Sequence, residues 1–176
     1  MLPLHERIPR AKIATWEKRL FGAQSYHAIM ITNVSLVSVW VTDLDEALAF
    51  YTEILGFEAR DDIRLGDDFR WVTVGHASQP ELDLHLTTPS GPLSDDLIAA
   101  LKRAQAEGGL PGVGLHVDDC RKTYEELSAK GVVFIQEPQE RPYGVEALMR
   151  DNSGNWLVLV EPREFTEADF EGSDLH

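Results

Sequence analysis

Cysteine is nearly absent from this chain: Cys120 is the only one. No intrachain disulfide can form, and a reducing compartment is expected. Long apolar runs are missing as well. No stretch reaches the ~18 residues that cross a bilayer, and the N-terminal residues lack the hydrophobic segment of a secretory signal, so the expected address is the cytoplasm, with no membrane partner. Basic residues are scarce, sixteen Lys and Arg against thirty Asp and Glu, for a formal charge of −14. A field of that sign repels polyanions, which excludes nucleic acid as a partner. Several catalytic signatures are also missing: the G-x-S-x-G nucleophile elbow, a phosphate-cradling P-loop, a C-x-x-C pair and H-E-x-x-H.

What is present is a repeat. From Val34, alternation of Leu36, Ser38 and Trp40 with Val37, Val39 and Val41 predicts a strand. Asp43 ends it and is placed to cap a helix in which Leu44, Ala47, Leu48, Tyr51, Ile54 and Leu55 recur at helical spacing. Gly56 follows as a left-handed cap. The same order returns from Gly112 to Val133: a short alternating strand, Asp119 at the cap, Tyr124 and Leu127 on the apolar helix face, then Gly131. Strand-like runs trail each helix, WVTV and ELDLHL in the first half, ALMR and WLVLV in the second. Asp43 and Asp119 set the period at about 76 residues. A chain of 176 residues, 43% hydrophobic, can bury one core around two such modules.

The runs VSVWVTDLDEALAFYTEILGFE, RWVTV, GLHVDD, KGVVF and DNSGNWLVLVEP resemble the glyoxalase, bleomycin-resistance and extradiol-dioxygenase superfamily, the vicinal-oxygen-chelate proteins. The resemblance covers roughly Met30 to Pro162 and implies an α+β fold in which two tandem βαβββ modules form a pair of incomplete barrels. It places the first module at 30–89, a helical linker at 90–111 and the second module at 112–163. Residues 1–29 form an extension with a short helix expected from about Arg10 to Phe21, and 164–176 an acidic, frayed tail. In the linker, Ser94 opens a helix that Gly108 ends.

Metal-dependent members of that family hold one divalent ion with four side chains, two from each module. The resemblance maps the first-strand positions, seven residues before each capping aspartate, onto Leu36 and Gly112, and the last-strand positions onto His85 and Val158. Of these only His85 can ligate, and one ligand cannot hold such an ion against water. A displaced divalent site built from His85, His116 and Glu146 is the alternative. Without metal, the expected lining is Leu36, Ser38, Trp40, His85, Gly112, His116, Leu148, Trp156 and Val158, an apolar and aromatic groove with Gly112 leaving room. Indoles stack on flat ligands or cations. Arg70, Trp71 and Tyr143 are candidates for its mouth, and Ser38 with His116 for a nucleophile and base.

Two functions follow as expectations. One is a metal-free protein that sequesters a planar or aromatic small molecule, of the antibiotic-resistance type. The other is a metal-dependent lyase, isomerase or dioxygenase with a shifted site. The resemblance also implies a homodimer.

Overall fold

The computed structural model describes residues 31–66 and 69–170. The chain divides into two units, Met1–Val34 and Ser35–His176. Of the first, 31–34 are described; the helix expected at Arg10–Phe21 and the final residues 171–176 lie outside the described residues.

The second unit holds both modules. The first runs β1 (Leu36–Trp40), α1 (Leu44–Ala49), a π-helical turn (Phe50–Ile54), β2 (Glu58–Leu65), β3 (Phe69–Gly75) and β4 (Asp83–Thr87). The linker helix α2 spans Asp95–Ala106. The second module runs β5 (Pro111–His116), α3 (Cys120–Ala129), β6 (Phe134–Arg141), β7 (Gly144–Arg150) and β8 (Trp156–Pro162). The strand orders, β1-β4-β3-β2 and β5-β8-β7-β6, are the same topology twice. In each sheet the first strand pairs in parallel with the last, and the other pairings are antiparallel.

Local chemistry sets the helix ends. Asp43 Oδ1 accepts from the backbone N–H groups of Asp45 and Glu46, and Asp119 Oδ1 from that of Lys122, satisfying donors that a first turn leaves unpaired. Gly56 and Gly131 sit at φ 79° and 88°, where a side chain would be strained. The first helix departs from the expected pattern in its second half. The Leu55 N–H bonds Phe50 O, five residues back, so α1 widens into a π turn. A helix of six residues is marginal alone and is held by packing.

One face of each sheet packs on its own helix. Val39, Val41, Val72, Val74, Leu84 and Leu86 bury Ala47 and Tyr51 of the first helical segment. Ala147, Met149, Leu157 and Leu159 do the same with Cys120 and Leu127 of α3. The two clusters meet through Phe50, Leu55 and Val113, which pack against both. Burial, and then the neighbouring Glu161 carboxylate, push the Cys120 thiol up from its ordinary value, so it is an inert core residue rather than a reactive thiol.

A buried polar joint fastens the modules. Asp151 accepts from Tyr51 Oη at 3.1 Å, from the backbone N–H groups of Ser153 and Asn155, and from Asn155 Nδ2 at 2.7 Å. Asn155 Nδ2 also donates to Trp40 O across the junction at 2.8 Å, while Thr42 bonds Ser153 Oγ. Burial, reinforced by Asp151, holds the Tyr51 hydroxyl well above its usual range, so it remains a donor.

The linker helix begins at Ser94, whose Oγ accepts from Leu97 N, and Gly108 follows at φ 69°. Arg150 Nη1 donates to Gly108 O and Gly154 O, tying the C-terminal end of α2 to the second module. Of the tail expected to be frayed, residues 164–170 are described, and 164–169 are exposed. A 3-10 turn at Glu167–Phe170 brings the Phe170 ring over Tyr143, with centroids 6.4 Å apart.

Asn155→Ala removes the two bonds given by its Nδ2, one to Trp40 O and one to Asp151 Oδ2, and leaves the other donors of the joint in place. The expected loss is about 2–3 kcal/mol of unfolding free energy in urea, with the m-value unchanged. A loss within error would show that the joint contributes nothing.

Candidate functional site

The helix-packed face of each sheet is committed to the core, so the opposite face is the one free to meet a ligand. Alternation along the strands fixes its members. In the first sheet, register pairs Leu36 with Asp83, Ser38 with His85 and Trp40 with Thr87, and places Thr73 beside His85. Ile63, Phe69 and Trp71 continue the same face on β2 and β3. In the second sheet it carries Glu146, Leu148, Trp156, Val158 and Val160, with Gly114 opposite Val158 and His116 opposite Val160.

Trp40, Trp71 and Trp156 are half-buried and belong to neither core cluster. Large apolar groups on the first face remain in contact with solvent: Leu36 is 37% exposed, Ile63 47% and Phe69 49%. Trp71, expected as a candidate for the mouth, lies on this face instead beside its central imidazole. Its indole stacks on the His85 imidazole, with centroids 4.0 Å apart and planes at 19°.

His85 is the centre of this face. It is 9% exposed, its Nδ1 lies 3.4 Å from Ser38 Oγ, and its Nε2 is buried with no partner. Burial lowers its pKa from the ordinary imidazole value, so the ring is neutral at pH 7. The adjacent Thr73 hydroxyl is already engaged, donating to Asp61 Oδ2 and accepting from Asp61 N. Nearby charges are paired: Arg60 with Asp83 at 2.6 Å, and Arg70 with Asp45 and Asp62. Arg70 therefore bridges acidic neighbours rather than standing free at a mouth.

Three expectations need correction. Gly112 does not open the groove: a register shift between Pro111 and Gly114 turns it toward the core, where a side chain would collide with that of Leu157. Gly114, with nothing around an added Cβ, is the glycine that faces open space. Ser38 meets His85, its cross-strand neighbour, instead of His116. The displaced metal set His85, His116 and Glu146 is not assembled, since no three His, Cys, Asp or Glu side chains among the described residues gather as a metal site. Glu146 is already occupied. It accepts from Tyr143 Oη at 2.6 Å, Arg141 Nε at 3.3 Å and Gln136 Nε2 at 3.2 Å. Burial, and then that bond to Glu146, raise the Tyr143 hydroxyl's pKa.

His116 is exposed and borders a different space. An open cavity of about 810 Å³ runs along the junction of the modules on the helix side. Val37, Leu84, Val113, Leu115 and Leu159 line it, with Lys130 at one end donating to Ile54 O.

Comparison with known proteins fits this architecture. The profile of the Glyoxalase/Bleomycin resistance protein/Dioxygenase superfamily matches residues 33–159. The uncharacterised protein YurT of Bacillus subtilis is 35% identical over 130 residues, 73% of this chain and 98% of its own. The crystal structure of UcmS2 superposes with a TM-score of 0.70 at 43% identity, covering 75% of this chain and 99% of that one. TnmS3, an antibiotic binding protein from Streptomyces sp. CB03234, follows with a TM-score of 0.61 at 28% identity, covering 77% and 99%. With a duplicated βαβββ fold and a family profile over most of its length, the chain belongs to the glyoxalase/bleomycin resistance protein/dioxygenase superfamily.

Proposed function

We propose that this protein binds and sequesters a small planar or aromatic molecule, of antibiotic type, on the faces turned away from its helices, and that the site needs no metal. The observation that carries the reading is the placement of Trp40, Trp71 and Trp156 outside both cores, on faces that also present Leu36, Ile63, Phe69, Leu148 and Val158. Flat apolar surface with a few fixed polar groups is the composition of small-molecule sites, and indoles give stacking area at low entropic cost. The likeness to TnmS3, described as an antibiotic binding protein, supports the same class of ligand. The resemblance puts Leu36 and Val158, neither able to ligate, at two of the four metal-ligand positions, which supports a metal-free site.

Oligomerisation completes the reading. Strands β1 and β5 are sheet edges, and the apolar faces beside them are partly exposed. A homodimer covers such surface, and light scattering is expected to return twice the 19.7 kDa chain mass.

The test is a tryptophan-quenching screen of aromatic natural products, with metal analysis of protein purified without chelator. Saturable quenching at substoichiometric metal is expected, and Trp40→Ala should abolish it. Stoichiometric zinc, iron, manganese or nickel, with turnover that depends on it, would favour a metal-dependent lyase, isomerase or dioxygenase and end the sequestration reading.

A further inference from the structure

The polar chemistry of the first sheet's open face narrows the ligand further, resting on the binding role proposed above. Among the described residues the Ser38 hydroxyl meets no partner except His85 Nδ1. When it donates there, the ring proton resides on Nε2, because a neutral imidazole keeps one donor and one acceptor nitrogen. Whichever tautomer the ring adopts, its Nε2 is buried and without a partner, and the Thr73 hydroxyl on the neighbouring strand is committed to Asp61. The Trp71 indole lies over the ring plane, and a stacked ring cannot accept an in-plane N–H. A phenyl ring would stack equally well with no polar atom to satisfy, so packing alone does not account for an imidazole at this position.

We propose that the Ser38 hydroxyl donates to His85 Nδ1, and that Nε2–H is then the hydrogen-bond anchor for a planar ligand carrying an acceptor oxygen, a ketone or quinone-type carbonyl, with the Trp71 indole holding the imidazole plane. Ile63 and Phe69, exposed on the same face, supply the apolar bed for the ligand's rings. Ser38 is a positioning residue: as donor to Nδ1 it leaves the ring proton on Nε2.

The test compares two planar tricyclic probes that differ by one carbonyl, 9-fluorenone and fluorene, titrated into the full chain and followed by tryptophan fluorescence. The wild type should bind fluorenone about tenfold more tightly than fluorene, the worth of one ordinary hydrogen bond. In His85→Phe, which keeps the stacked plane, the ratio of the two affinities should fall to about one. His85→Gln, whose amide N–H reaches the Nε2 position, should restore it. The ¹⁵N resonance of Nε2 should shift with fluorenone and not with fluorene. Equal affinity of both probes for the wild type, or a preference that survives in His85→Phe, would overturn the anchor while leaving the groove reading intact. Failure of both probes to bind the wild type would sink the anchor and the groove together.

Discussion

A four-stranded sheet has two faces, and each module of this chain supplies one helix to cover them. That shortage governs the rest of the structure. The helix-packed faces behave as a protein interior should: Val41, Ala47, Tyr51, Val72, Val74 and Leu86 in the first module, and Ala147, Met149 and Leu157 in the second, have no exposed surface. The opposite faces carry residues equally apolar in type but left partly in water, which costs about 25 cal/mol for each Å² of apolar surface that could have been buried. Surface of that kind is a common mark of a binding face in a soluble chain.

The modules stay in register because their junction is polar and directional, not merely greasy. Apolar contacts through Phe50, Leu55 and Val113 tolerate sliding, since dispersion is nearly indifferent to small shifts. Bonds from Asn155 to Trp40 O and from Tyr51 to Asp151 do not. They hold the end of β1 against the turn before β8, and so fix where Trp40 stands relative to the second module. A joint remote from the ligand face thereby sets its geometry.

Much of this was legible in the residues. The aspartate caps, the glycines at positive φ, the linker helix from Ser94 to Gly108 and the tandem βαβββ order all follow from local rules that need only near neighbours in sequence. So does the inward placement of Ser38, Trp40 and His85, which strict alternation guarantees within a regular strand. Sequence reading failed where the regularity did. The bulge after Pro111 adds a residue and sends Gly112 to the core, an event with no local signature. The stack of Trp71 on His85 depends on antiparallel register between β3 and β4, and the loss of Glu146 to Tyr143, Arg141 and Gln136 depends on a hairpin that brings them together. Both are set by pairing across strands, which composition does not encode.

The polar atoms left without partners separate structural from functional demands. Asn155 Oδ1 is unpartnered, yet its residue makes three other hydrogen bonds and holds the junction, so the orphan is offset locally. Gln105 has both amide atoms unpartnered on the linker helix, remote in sequence from either ligand face. His85 differs from both. Its ring makes one 3.4 Å contact and one stack, neither of which requires the second nitrogen, and an unsatisfied buried polar atom costs about 1–3 kcal/mol. Stability alone favours an apolar ring between Ser38 and Trp71. An imidazole there, on the face the helices leave free and among exposed apolar neighbours, is accounted for by the proposed ligand contact.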